Sequence, residues 1–126
     1  MLLNVVHHVA IIVSDYEKSR EFYVEKLELP IVRENYRESR DDYKLDLQVG
    51  DIELEIFGVK NPPARVTNPE ARGLRHLAFK VDDIEVAVKW LKDKGIETEP
   101  IRFDEYTQKR MTFFRDPDDL PLELHE

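Results

Sequence analysis

Apolar and polar residues alternate in short runs along this chain, and helical periodicity interrupts them twice. Val5–Val13 is almost entirely apolar or histidine and rich in β-branched residues, which predicts a strand. Ser14-Asp15-Tyr16-Glu17 has the form of a capping box. Tyr16, Phe22, Tyr23 and Leu27 follow at roughly helical spacing, so a helix is expected over Tyr16–Leu27, with Pro30 marking its end. Ile31–Arg37, Tyr43–Val49 and Ile52–Phe57 read as strands, the last two joined by the turn signal Gly50-Asp51. Gly58–Gly73, with three prolines and two asparagines, reads as a linker. The pattern then restarts. Leu74–Val81 predicts a strand, and Asp82-Asp83-Ile84-Glu85 a second capping signal. Ile84, Ala87, Val88 and Leu91 make one helical face with a stop at Gly95. Trp90 falls off that stripe and reads as packing. Strands are expected at Ile96–Phe103, Lys109–Phe114 and Leu120–His125, with the Asp116-Pro117-Asp118 turn before the last.

The restart is a repeat in residues as well as in pattern. At an offset of 68 positions His8 matches His76, Ala10 matches Ala78, Asp15 matches Asp83 and Glu17 matches Glu85. Leu54 matches Leu122 and Glu55 matches Glu123. Each histidine therefore precedes its glutamate by the same 47 residues. A repeat of this length must be found before a fold is assigned. Two copies are too few for a solenoid, so a single domain with internal two-fold symmetry is expected. Its modules span about 4–58 and 74–126, with the linker at about 59–73. The predicted class is α+β: two tandem βαβββ modules forming a curved mixed sheet with a concave cup.

Strand alternation decides where the four repeated side chains point, because residues two apart share a face. His8 and Ala10 oppose Val9, Ile11 and Val13, and His76 and Ala78 oppose Leu77 and Phe79. Glu55 and Glu123 each stand between two aliphatic residues that face the other way. All four candidates leave the sheet opposite the aliphatic face. The expected metal ligands are His8, Glu55, His76 and Glu123, with Glu55 and Glu123 doubling as catalytic bases. Glu53 shares their face but has Pro121 as its counterpart, so it reads as a solvated strand rim. His7 and His125 have no such pairing and read as ordinary polar residues.

Composition narrows the chemistry. A chain of 126 residues can bury one real core. Its 37% charged residues and net charge of −8 argue against nucleic acid or an anionic membrane as partner. No apolar run reaches the roughly 18 residues of a membrane span. Met1-Leu2-Leu3-Asn4 lacks a basic leader and a cleavage site, and there is no cysteine, which together suit a reducing, cytoplasmic setting. Without thiolates, a metal must be held by nitrogen and oxygen. Two imidazoles and two carboxylates suit one divalent ion per site: nickel, zinc, cobalt, iron or manganese (Ni, Zn, Co, Fe or Mn). Four ligands on an octahedral ion leave two positions for oxygens of a small-molecule substrate. The ion would act as a Lewis acid, stabilising an enediolate as a proton leaves the neighbouring carbon. Arg37, Arg40, Lys80, Lys109 and Arg110 are candidate contacts for an anionic substrate, though a solvated role is the commoner one.

The run His8-Val9-Ala10-Ile11-Ile12-Val13-Ser14-Asp15, followed by Phe22-Tyr23, resembles the opening of the vicinal oxygen chelate superfamily. That group includes glyoxalase I, methylmalonyl-CoA epimerase, fosfomycin resistance proteins, extradiol dioxygenases and bleomycin-binding proteins. Gly73-Leu74-Arg75-His76-Leu77-Ala78-Phe79 and Asp116-Pro117-Asp118 with Leu122-Glu123-Leu124 resemble its second module. The resemblance implies paired βαβββ modules around a metal. The ligand order His, Glu, His, Glu is similar to glyoxalase I, which turns the methylglyoxal–glutathione hemithioacetal into lactoylglutathione. Epimerases of this type carry Gln at the second position, and extradiol dioxygenases use two His and one Glu. The implied function is a metal-dependent lyase or isomerase acting on a small α-hydroxycarbonyl or thiohemiacetal. An iron-dependent ring-cleaving dioxygenase and a non-catalytic binding protein are the alternatives. The resemblance also implies a homodimer, and leaves open whether each site lies within one chain or draws ligands from both.

The departures concern glutathione. Bacterial glyoxalase I usually has Arg four residues after the first His and Asn four after the second ligand, where this chain has Ile12 and Val59. Asp119 stands in place of the usual Gly after Asp-Pro-Asp. Metal chemistry is therefore better supported than glutathione recognition. The chain is most similar to a glyoxalase-related branch with a Tyr-Thr-Gln-Lys-Arg segment, here Tyr106–Arg110.

Overall fold

The computed structural model describes all residues, 1–126. Two compact units divide the chain, Met1–Pro63 and Ala64–Glu126, and the division falls inside the expected linker. The class is α+β, with one four-stranded mixed sheet in each unit.

In the first unit, β1 (His8–Val13) leads into helix α1 (Tyr16–Arg20). β2 (Ile31–Arg37), β3 (Asp42–Val49) and β4 (Ile52–Gly58) follow. The sheet order is β1-β4-β3-β2, with β1 parallel to β4 and the other pairs antiparallel. Asp15 rather than Ser14 caps α1, its carboxylate accepting from Lys18 N at 3.1 Å. The helix does not stay α to Leu27 as periodicity predicts. Glu21–Lys26 winds as a π-helix, and Leu27 N donates to Phe22 O, five residues back, at 2.9 Å. Phe22 and Tyr23, neighbours in sequence, are both buried with Ile11, Val13, Leu45, Leu47, Leu54 and Ile56. The wider turn is the backbone that goes with this double burial. At the end of β4, Gly58 lies hard against the Tyr16 ring, where an added Cβ would come within 2.8 Å.

In the second unit, β5 (Leu77–Lys80) precedes helix α2 (Ile84–Asp93), and β6 (Arg102–Phe103), β7 (Arg110–Arg115) and β8 (Pro121–His125) complete the repeat. The order β5-β8-β7-β6 and its strand senses reproduce the first sheet. Asp83, the counterpart of Asp15, caps α2 by accepting from Glu85 N and Val86 N. Gly95 ends the helix at φ +80°, with Gly95 N on Lys92 O and Ile96 N on Leu91 O, the paired bonds of a Schellman stop. Trp90 is not packed inside. It is partly exposed beneath the Lys94 ammonium, 4.5 Å from the ring centre.

Four strands are shorter than the pattern predicts, β8 by only its first residue. β1 begins at His8 rather than Val5 because β4 begins at Ile52. The register His8↔Glu53 would set Val5 and Val6 against the Gly50-Asp51 turn, which has no ladder to offer. β5 begins at Leu77 for a related reason: Leu77 pairs with Leu122, so His76 falls opposite Pro121, which has no amide to donate, and Leu74 and Arg75 run past the start of β8. β6 keeps two residues of an expected eight, since Pro100 has no amide to donate.

Glu126 fastens α2 to β7. Its carboxylate accepts from Arg110 Nε at 3.0 Å, Arg110 Nη2 at 2.7 Å and Ile84 N at 3.0 Å. The Arg110 fork foremost, then the Ile84 amide, lowers the Glu126 carboxyl from the ordinary 4.5 to about 2. A folded value below the unfolded one means the contact contributes fully above pH 4.5 and is lost as pH falls toward about 2. Urea midpoints measured across that window should fall more steeply for the native chain than for Glu126→Gln. Parallel curves would contradict the assignment.

Candidate metal half-sites and an arginine cleft

The structure brings the four repeated side chains together in two pairs, one per unit. His8 Nε2 lies 3.7 Å from Glu55 Oε1, and His76 Nε2 lies 3.9 Å from Glu123 Oε2. The sequence offset of 68 is thus repeated as geometry. Register explains it. Glu55 stands opposite Ala10 and Glu123 opposite Ala78, and the histidine sits two residues earlier on the same face. Alanine at the facing position leaves the diagonal open. The glutamate side chains are 13% and 11% exposed, the histidines 43% and 26%. Within neither unit does a further His, Asp or Glu join the pair to make a group of three.

The surroundings of the two pairs differ, and the hairpin turns decide how. The two-residue turn in the first unit sets Asp46 opposite Glu55, whereas the five-residue turn in the second sets Phe113 opposite Glu123. Glu55 therefore borders a charged network. Lys44 Nζ lies 3.5 Å from Glu55 Oε2 and 2.7 Å from Asp46 Oδ1. Asp46 also accepts from Arg33 Nε at 2.8 Å, and Arg33 reaches on to Glu53. Burial alone would raise the Asp46 carboxyl, but the bonds from Lys44 and Arg33 outweigh it and hold it below the ordinary value. His76 instead meets the edge of Phe113, ring centres 5.2 Å apart.

The residues just before each histidine, His7 read from sequence as an ordinary polar residue and Arg75 given no role there, touch the ring that follows them. His7 Nδ1 lies 2.8 Å from His8 Nδ1, and Arg75 Nη1 lies 3.4 Å from His76 Nδ1. These neighbours sit at the repeat offset and address the ring nitrogen turned away from the glutamate. A histidine or arginine preceding each repeated histidine was the available signal. His125 pairs with Asp104 at 3.3 Å and contacts its neighbour's carbonyl, and that carbonyl above all raises its pKa. Asp104 in turn accepts from Tyr106 N and Thr107 N, which folds the Tyr106–Arg110 segment.

Two of the expected anion contacts are already engaged: Arg37 holds both oxygens of Asp42 and Arg110 both oxygens of Glu126. A different set of arginines gathers in the second unit. A cleft of about 370 Å³ opens beside His76, walled by Phe113, Arg65, Arg75, Arg102 and Arg115.

Comparison with known proteins agrees with this architecture. The model of the Glyoxalase/Bleomycin resistance protein/Dioxygenase superfamily matches residues 5–124, and the chain belongs to that family. It is 59% identical to the uncharacterized protein YwkD of Bacillus subtilis, over 100% of this chain and 99% of that one. The crystal structure of a glyoxalase family protein from Enterococcus faecalis superposes with a TM-score of 0.95 at 56% identity, covering 100% of both chains. The metallothiol transferase FosB of Staphylococcus epidermidis is 26% identical over 99% of this chain and 83% of its own. The superfamily thus includes metal-dependent enzymes. No helix here is long and apolar enough to cross a membrane.

Proposed function

We propose that the chain is a divalent-metal-dependent lyase or isomerase of glyoxalase I type, with His8, Glu55, His76 and Glu123 as metal ligands. The repeated His–Glu pair, 3.7 Å in one unit and 3.9 Å in the other, carries this reading. The donor set fits such an ion. Each pair offers one imidazole nitrogen and a largely shielded carboxylate, and no thiolate competes. When bound, the ion would supply Lewis acidity to the substrate oxygens. The remaining work belongs to the chain. A carboxylate, Glu55 or Glu123, takes the proton from the carbon beside the substrate carbonyl and returns it to the adjacent carbon, so that no oxidant is consumed. Phe113 packs against the His76 ring and so steadies its orientation. The reading includes a cytoplasmic homodimer acting on a small molecule.

A second reading, metal-assisted transfer of a thiol, is favoured by the likeness to the staphylococcal metallothiol transferase. One experiment separates the two and can defeat both. Metal content of the purified chain is measured, then turnover of the methylglyoxal–glutathione adduct and of related α-hydroxycarbonyls, with free thiol followed in parallel. Isomerisation without thiol consumption, abolished by chelator and restored by metal, is the expected result. Thiol consumption selects the second reading. Substoichiometric metal with turnover indifferent to chelator sinks both.

A further inference from the structure

We propose that the arginine cleft of the second unit binds the anionic group of the substrate, a carboxylate or phosphate oxyanion. The inference deepens the function proposed above by naming a charge class for the ligand. It rests on how the guanidiniums are used.

Three arginines outside the cleft have their forks filled by a single carboxylate. Arg20 holds both oxygens of Glu34 at 2.7 and 3.1 Å, Arg37 both of Asp42 at 2.7 Å, and Arg110 both of Glu126 at 3.0 and 2.7 Å. Inside the cleft none is so filled. Arg75 places two nitrogens on a single oxygen, Glu70 Oε1, at 3.0 and 2.9 Å. Arg102 reaches one oxygen of Glu99 at 3.0 Å. Arg115 comes only within 3.4 Å of Asp119 Oδ1. Arg65 has no carboxylate partner and spends one nitrogen on the carbonyls of Leu74 and Arg75, at 2.6 and 2.9 Å. A guanidinium is shaped to grip two oxygens of one oxyanion at once. These four retain donors for that purpose.

Charge points the same way. Four guanidiniums face three carboxylates, Glu70, Glu99 and the more distant Asp119, an excess of one positive charge in a chain of net charge −8. The pairs an incoming anion would displace are weakly held, since Arg75 and Glu70 are 64% and 62% exposed. The cleft volume of about 370 Å³ suits a small molecule. Arg102 lies over the Phe113 ring at 5.3 Å, and the same ring makes a T-shaped contact with His76 at 5.2 Å. An oxyanion seated here is therefore next to His76, the proposed metal ligand.

The test titrates the full chain with inorganic phosphate and with malonate by calorimetry, with metal content measured on each sample. One saturable site per chain is expected for both probes. Arg75→Gln and Arg102→Gln should each weaken binding about ten-fold or more. Arg102→Lys, which keeps the charge but loses the fork, should fall between, and Lys89→Gln, on α2, should bind as the native chain does. Circular dichroism confirms that each variant is folded. Absence of saturable binding, or affinity unchanged in both glutamine variants, overturns the proposal. Glu55→Gln, in the other unit, separates this inference from the metal assignment. Phosphate affinity kept while metal is lost supports the arginine site, whereas affinity lost in step with metal overturns it. Metal kept in Glu55→Gln while the arginine variants lose phosphate defeats the metal assignment alone.

Discussion

Glu123→Gln is expected to weaken binding of divalent metal beyond the about 10–100-fold that loss of an outer-shell partner costs, and to carry turnover down with it. Glutamine matches glutamate in shape, so the substitution removes charge and one strong donor without opening a void. Leu122 and Leu124 are buried on either side and hold β8 in place, so the side chain at 123 should keep its direction. The thermal midpoint measured in chelator should therefore stay near the native value, separating lost ligation from lost folding. Glu53→Gln is the control. Glu53 lies on the same face of β4 as Glu55 but is engaged by Arg33. Its variant should bind metal as the native chain does. Competition against a chromophoric chelator reads both affinities. Equal affinities for Glu123→Gln and the native chain would remove this residue from the ligand set.

How much of this was legible beforehand follows from which constraints are local. The offset of 68 announced the two βαβββ units, and strand alternation set His8 and Glu55 on the face opposite Leu54 and Ile56. Both inferences need only the two-residue period of a strand. Strand ends were missed because they depend on a partner. Val5 and Val6 are good strand residues with nothing to pair against once β4 starts at Ile52. The π turn at Glu21–Lys26 answers the joint burial of Phe22 and Tyr23, which periodicity alone reads as α. The Lys44–Asp46–Arg33 network was recoverable in principle. A two-residue turn at Gly50-Asp51 fixes Val49 against Ile52, and counting back places Asp46 opposite Glu55. The arginine cleft was not recoverable. Arg65 belongs to a linker without periodicity and Arg75 to the expected strand Leu74–Val81, and only folding brings them beside Arg102 and Arg115. Arg37 and Arg110 looked equally available from sequence, and their carboxylate partners became apparent only in the structure.

Leu122→Ala should lower the free energy of unfolding by about 2–5 kcal/mol. Leu122 is fully buried in β8, between β5 and β7, where it faces Leu77 and Phe114 across the ladders. Removing the side chain forfeits its transfer from water and leaves a void that hydrogen-bonded strands on both sides cannot close. Domains of this kind are stable by only about 5–15 kcal/mol, so the loss takes a large share of the total. Urea unfolding should show a lower midpoint with an unchanged slope. Val86→Ala on the exposed side of α2 should stay within about 0.5 kcal/mol of the native chain. The consequence reaches the candidate site through one peptide bond. Relaxation of β8 toward the void shifts Glu123 against His76, so metal affinity should fall as well, though less than in Glu123→Gln. A Leu122→Ala chain as stable as the native one would mean that β8 does not hold the core this structure assigns to it.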